Sequence, residues 1–494
     1  MRLSSCLAME NFYFYIAFFL SAVVFIIKLL SHCHHPNSPP SPFSLPIIGH
    51  VHLLKPTLYK ALETLSLQYG PILSLKFGSL SFVVISSPSA VEERFTKNDI
   101  VFANRPRTMA GEHLTYNLTD PVWAPDGDMW RNLRRFASIE IFSQMSLQKF
   151  STIRREEVDS LLRRLFKASN KKPEIVELRH LVLTFDVQHR DDDGHWRACV
   201  GEEAASTDMG KQHLEELKQI YFADLTLSMC DFFPILRWLG YKGLEKGMIS
   251  LQVKRDESLR RLIEENKQKK ATSFNNSTLI DGEKKRTLLE TLLSLSQSEP
   301  EFYSDDVIKS LILKVREEID NEVGHGHLIN ESDLAKLPYL RCVMNETLRL
   351  YPIVPLLLPH YSTEDCTVGG FQMPRGTFGS KNFRVNAWGT HRDPKLWEDS
   401  TRFKPERFEA ASVERDGFKF LPFGIGRGSC PGAGMGQRII LLTLYALIQC
   451  FDWEIVGKGM VDMNPGKGFL LSKAKPLQAV CRPRLLMTNI PSHL

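Results

Sequence analysis

The chain has 494 residues, 43% of them hydrophobic and 24% charged, which suits a large globular core and excludes a disordered or fibrous protein. Its 62 basic and 57 acidic residues leave a net charge of +5, which excludes the basic excess of a nucleic-acid-binding surface. Nine cysteines, an odd number with no Cys-x-x-Cys pair, exclude a disulfide framework or a zinc site.

Phe12 to Ile27 is aromatic or aliphatic almost throughout, and Leu29-Leu30 extends it past Lys28, whose stem can lie along apolar surface. About nineteen apolar residues suffice to cross a bilayer. The following Ser31-His32-Cys33-His34-His35 lacks the small-x-small pattern that cleavage of a leader needs. Residues 1–35 are therefore expected to form a retained membrane anchor. Pro36, Pro39, Pro40, Pro42 and Pro46 rule out helix and make 36–49 a stiff hinge, leaving 50–494 as one domain.

Ile72 to Ile85 reads as two strands paired around Gly78-Ser79, and Ser87-Pro88 as the start of a helix. Helical periodicity dominates from Asp128 to about Lys269. Lys267 to Arg286, rich in Asn and Ser, reads as a surface loop. Helices resume at Thr287, Ser304 and Glu331, and short strands are expected across 353–390. The fold class is mainly α with a small β region.

Within this frame several side chains share a helix face. Trp130 and Arg134, four apart, can bring an indole N–H and a guanidinium to one carboxylate. Arg131, Arg134 and Arg135 make a local basic cluster. Glu346 and Arg349, three apart on an amphipathic helix ending at Pro352, can form a three-member ion network with Arg407. His391-Arg392-Asp393 imitates a kinase catalytic loop, but Glu398 stands where that motif needs Asn.

Cys430 lies in Pro422-Phe423-Gly424-Ile425-Gly426-Arg427-Gly428-Ser429-Cys430-Pro431-Gly432. Gly424, Gly426, Gly428 and Gly432 permit positive φ and close approach of the backbone to a flat cofactor. Pro431 suits a first helical position and Gln437 to Phe451 is nearly all apolar, so Cys430 is expected at the start of a buried helix. Amide donors and the helix dipole there favour thiolate over thiol. A thiolate axial to haem iron pushes electron density through the metal and favours O–O cleavage, the chemistry of oxygen insertion.

On these residues the chain resembles the cytochrome P450 family. Phe423, Gly426, Cys430 and Gly432 fall in register with its haem loop. Glu346-Thr347-Leu348-Arg349 looks like its Glu-x-x-Arg helix, Pro405-Glu406-Arg407-Phe408 like its Pro-Glu-Arg-Phe segment, and Trp130 to Arg134 like its propionate-contacting helix. His360 resembles a further propionate-contacting position, and Gly428 stands where the family has an arginine, with Arg427 one step away. Phe232 to Trp238 and Asp365 to Gly370 are similar to the plant microsomal group that includes isoflavone hydroxylases.

The resemblance implies a P450 fold carrying haem b (iron protoporphyrin IX), with Cys430 as the iron ligand. It implies a monooxygenase acting on a small hydrophobic or aromatic, flavonoid-like substrate. Electrons would come from NADPH through NADPH–cytochrome P450 reductase, and the basic cluster offers that reductase a face. The endoplasmic reticulum membrane is the expected location, with a cytosolic catalytic domain. Val354, Leu356 and Leu357 are candidates for lining the pocket.

One family element is not found. The distal helix with its acid-threonine pair belongs between Asp305 to Leu313 and Lys314 to Ile319, where roughly thirty residues are missing by comparison, about 45 Å of helix. No catalytic residue is identified in its place. Phe185 to Ala205 is oddly polar, and Thr377 to Arg384 irregular. Two alternatives therefore stay open: a haem-thiolate isomerase or lyase, and a catalytically inactive P450-like haem protein.

Overall fold

The hairpin around Gly78-Ser79 is the root of the main sheet. Strands β1 (Ile72–Phe77) and β2 (Leu80–Ile85) pair antiparallel, Ile72 opposite Ile85 and Phe77 opposite Leu80. Gly78 turns the chain at φ +57, where a Cβ would come within 2.2 Å of the Phe232 carbonyl oxygen, so only glycine fits. The computed structural model describes residues 15–23, 37–54, 57–169, 174–177, 227–257, 338–373, 381–409, 418–456 and 478–483, with a few isolated positions between.

Along its other edge β2 pairs in parallel with β7 (Lys381–Val385), Val83 opposite Phe383, and β4 (His360–Tyr361) completes the order β1-β2-β7-β4. A central strand is covered on both faces, and Phe82, Val83, Val84 and Ile85 are all buried. The end of the stretch read as irregular is thus a strand. Its polar Lys381, Asn382 and Arg384 hide it from propensity, but the ladder to β2 holds it in place. The small hairpin β5 (Cys366–Val368) and β6 (Phe371–Met373) packs with this sheet and with α2 (Pro88–Thr96) in one apolar cluster, helix α1 (Leu58–Tyr69) with its β1 side in another. The Ser87 hydroxyl caps α2 by accepting from the Ala90 N–H at 3.1 Å.

The second core lies between two long helices, α5 (Ser151–Ser169) and α10 (Ala433–Cys450). Val158, Leu161, Leu162, Leu165 and Phe166 meet Ala446, Cys450 and Phe451, each large side chain contributing about 1.5–3 kcal/mol by leaving water. Residue Phe451, expected in the helix, begins β8 (Phe451–Ile455) instead. Strand β9 (Gln478–Pro483) pairs with β8 and with β3 (Glu174–Glu177). β3 interrupts residues read as helical: β-branched Ile175 and Val176 accept a ladder supplied from the far end of the chain.

Helix is the main structure and sheet the lesser among the described residues. Of the described helices, α10 is the one long and apolar enough to cross a membrane, and its apolar face packs into this core. From the expected anchor, residues 15–23 are helical and the remainder lies outside the described residues. Also outside them are Phe185 to Ala205, Lys267 to Arg286 and Asp305 to Ile319, and with the last the missing distal element.

Candidate cofactor site

The Cys430 loop is a tight hairpin closed by its own backbone. The Cys430 N–H donates to the Phe423 carbonyl at 2.8 Å, and the Ser429 N–H to Gly426 at 3.1 Å. Gly424 and Gly426 both sit at φ +70, in the left-handed region. Gly432 takes an ordinary φ of −83, and at Gly428 a Cβ would make ordinary contact, 3.4 Å from Arg105 Nη2 and from His360 Cε1. At Gly426 a Cβ would meet the Phe95 ring at 3.0 Å, so α2 packs directly on the loop.

Helix α10 starts at Ala433 with Gly432 as its cap, so Pro431 and Cys430 precede the helix. The first helical bond runs from the Gly436 N–H to the Gly432 carbonyl at 2.9 Å. Cys430 is half-buried and forms no disulfide among the described residues.

Helix α4 (Asp128–Phe136) delivers Arg134 to this loop. Its guanidinium donates to the Ser429 carbonyl, next to Cys430, and reaches Ser429 Oγ at 3.2 Å. Trp130 shares the helix face but not the acceptor: its indole N–H donates to the Pro121 carbonyl at 3.1 Å.

His360 approaches from β4. Its Nδ1–H donates to the Phe102 carbonyl at 2.6 Å, which leaves Nε2 to accept from Arg105 Nη1 at 2.6 Å. Burial, then the Arg105 and Arg94 charges, hold this imidazole neutral, its pKa well below the ordinary value. Arg105 also donates to the Pro359 and Val122 carbonyls, both at 3.0 Å. Nothing in the local sequence marks Arg105, because its partners Pro359 and His360, at the start of β4, lie 254 and 255 residues away.

Arg94 on α2 is fully buried, its guanidinium 3.9 Å from the Phe95 ring and 5.2 Å from Phe102. Nε and Nη2 of Arg94 find no acceptor among the described residues. Burial, then Arg105, lowers its pKa to about 9; burial lowers that of Arg105 to about 10, with Asp120 opposing and Arg134 adding. Three guanidinium groups and a neutral imidazole therefore gather beside a glycine-lined thiol loop. Such a donor set, with an orphaned Arg94 Nη2, fits a flat group that carries carboxylates.

Behind the loop the predicted ion network is formed. On α8 (Pro338–Leu350) Arg349 grips Glu346 with Nε–Oε2 at 2.7 Å and Nη2–Oε1 at 2.9 Å, both side chains fully buried. Arg407 adds Nε–Oε1 at 3.1 Å, and the Lys404 N–H donates to Glu346 Oε1 at 2.8 Å. Arg349 Nη1 further donates to the carbonyls of His391 at 2.5 Å and Ser400 at 2.7 Å. His391, noticed in the sequence only as a false kinase motif, is wholly buried in this frame. Leu356 and Leu357, candidates for lining a pocket or for a plain buried strand, pack in the sheet's two apolar clusters.

Residues 39–315 and 309–480 match the family model described as Cytochrome P450. Cytochrome P450 81Q32 of Catharanthus roseus is 41% identical over 489 positions, covering 92% of this chain and 94% of that protein. The (+)-piperitol/(+)-sesamin synthase of Sesamum radiatum is 40% identical over 525 positions, covering 98% and 99%. An isoflavone 2'-hydroxylase of Glycyrrhiza echinata is 38% identical over 525 positions, covering 99% of each. A zebra fish cytochrome P450 structure with progesterone matches the fold at a TM-score of 0.68 and 24% identity, over 87% of this chain and 100% of that one. On this agreement of loop, ion network, fold and relatives, the chain belongs to the cytochrome P450 family of monooxygenases, in its plant, isoflavone hydroxylase-like group.

Proposed function

We propose that the chain is a haem-thiolate monooxygenase that hydroxylates a small aromatic substrate of the flavonoid or isoflavonoid class. The observation that carries this reading is the hairpin that presents Cys430, closed by the Phe423 carbonyl and braced by Arg134 on Ser429. Haem bound there supplies oxygen activation and insertion. Cys430 provides the sulfur ligand; the Phe423 carbonyl fixes its backbone, Gly426 admits α2, and Gly432 leads into α10. Arg134 and Arg105 neutralise the propionates, with Trp130 and His360 at their margin. Arg105 takes the part that the residue replaced by Gly428 would have filled. Electrons come from NADPH by way of a reductase, and residues 1–35 tether the domain to the endoplasmic reticulum membrane.

The substrate class follows the printed activities of the relatives, three of which are named as isoflavone hydroxylases. The test is the reduced, carbon-monoxide-treated spectrum of membranes expressing the full chain with a reductase, followed by NADPH-dependent turnover of an isoflavone. A thiolate-type band that Cys430→Ser abolishes, together with hydroxylated product, is the expected result. Persistence of the band in Cys430→Ser would sink the reading.

A second reading is favoured by one specific observation. The family model matches as two stretches that meet at residues 309–315, where the distal acid-threonine element belongs. The alignment to the sesamin synthase has 525 positions against 494 residues, so at least 525 − 494 = 31 positions have no counterpart here. A chain shortened at that place would hold haem but turn over slower by about 10²–10⁴, the worth of positioned proton delivery. The same spectral band with no product distinguishes it.

A further inference from the structure

Of the three guanidinium groups gathered beside the Cys430 loop, two have local acceptors. Arg105 is satisfied by His360 Nε2 and two carbonyls, and Arg134 by Ser429. Arg94 is only 1% exposed, yet its Nε and Nη2 have no acceptor among the described residues.

Rings hold this side chain where oxygens would be expected. Its guanidinium lies 3.9 Å from the Phe95 ring and 5.2 Å from that of Phe102, an arrangement that suits a cation poorly supplied with water. Both rings lead into the cofactor site. Phe95 touches the loop at Gly426 and meets His360 edge-on at 6.4 Å, and the Phe102 carbonyl accepts from His360 Nδ1.

The groups that could balance the charge are engaged elsewhere or uncharged. Asp99 and Cys366 are the two that draw on it. Asp99 Oδ2 accepts from Arg427 Nε at 2.8 Å, at the solvent edge. Burial, ahead of Asp365 and Glu93, pushes the Cys366 thiol up to about 11, so at neutral pH it carries no charge. Glu93, next to Arg94 in the chain, accepts from the Gly369 N–H at 2.7 Å. Arg94 itself stays protonated at pH 7, because burial and then Arg105 lower its pKa only to about 9. A positive charge is thus kept in a dry layer behind the loop without a counter-ion, where salt screens it little.

We infer that Arg94 is a positioning residue whose uncompensated charge, acting through the Phe95 layer, holds the carboxylates of the bound haem and raises the reduction potential of its iron. The inference rests on the haem reading of the Cys430 loop. The step it favours is transfer of one electron from the reductase to ferric haem, giving ferrous haem; no bond at Arg94 forms or breaks. A purely structural arginine would act differently, since its loss would cost stability and leave the potential alone.

The experiment is a redox titration of the full haem-loaded chain in detergent, with the ferrous-to-ferric ratio read from the visible spectrum at a fixed potential. Arg94→Met, which keeps much of the length and removes the charge, is expected to lower that ratio about tenfold, equivalent to about 59 mV for one electron. Arg94→Gln, neutral and polar, is expected to match it, and Arg94→Lys, which restores the charge, to stay within about threefold of the parent. Added salt is expected to leave the difference standing. Haem transfer to an acceptor protein is expected to quicken severalfold in the two neutral variants and less in Arg94→Lys. Without haem, Arg94→Met is expected to melt no lower than the parent, because an unpaired buried charge has been removed. An unchanged ratio in both neutral variants overturns the inference, as does an equal fall in Arg94→Lys or a lower melting point of haem-free Arg94→Met. A parent chain with no haem spectrum sinks the proposed function and this inference together, whereas an unchanged ratio in a haem-loaded protein sinks the inference alone.

Discussion

The backbone N–H of Leu421 donates to Nε2 of His391 at 2.8 Å. On its other side the same ring donates from Nδ1 to the Arg349 carbonyl at 3.1 Å. One neutral imidazole thus joins helix α8 to the stretch that leads into the Cys430 loop. In His391→Leu a buried donor and a buried acceptor both lose their partner, at about 1–3 kcal/mol each. The variant is expected to melt lower and to release haem faster than the parent chain, measured by thermal scan and by haem transfer to an acceptor protein.

Acid should destabilise the chain in a defined window. Burial lowers the His391 pKa to about 3 and holds that of His360 well below its ordinary 6.5. Above pH 6.5 these rings are neutral whether the chain is folded or not, so their contribution is flat. As pH falls below that value the unfolded chain takes up protons first and stability is lost, by about 1.4 kcal/mol per unit for each ring. Denaturant titrations at pH 7.5, 6 and 5 measure the slope, which is expected to be shallower in His391→Leu.

The two arginines on Glu346 are not equivalent. Arg349 is fully buried and spans several backbone carbonyls, whereas Arg407 is partly exposed and meets Glu346 with one nitrogen. Arg349→Ala strands a buried charge and is expected to cost about 3–5 kcal/mol, enough to prevent haem loading. Arg407→Ala is expected to cost about 1.5–3 kcal/mol and leave a folded, weaker protein, as urea midpoints would record.

Arg105 and residue 428 compete for one space. Gly428→Ala is expected to be nearly silent, because its Cβ would meet Arg105 and His360 at 3.4 Å. Gly428→Arg drives a second guanidinium against the first and is expected to weaken haem retention. Adding Arg105→Ala is expected to restore much of it, with a coupling of about 0.5–3 kcal/mol in a double-mutant cycle of haem release. Additive losses would show that the two positions serve different groups.

The sequence made the Glu346–Arg349 pair legible because helix geometry fixes which residues three apart must meet. The β1–β2 hairpin was readable for a similar reason: Gly78-Ser79 sits between two apolar runs. Arg105 and His391 were not, since their neighbours lie far along the chain and no spacing rule connects them. Among the loop glycines, conformational freedom explained 424 and 426, but Gly428 faces Arg105 and His360, side chains that arrive from elsewhere.

Strand β2 takes its second neighbour from a segment made much later: Ser81 pairs with Lys381. A ribosome adding about 5–20 residues each second needs roughly 15–60 s to bridge that interval. During this delay the nascent hairpin offers an open apolar edge, the kind that recruits foreign strands. Cells making this protein must therefore shield it during translation, and a transcript broken off ahead of Lys381 would yield an aggregating fragment rather than a smaller enzyme.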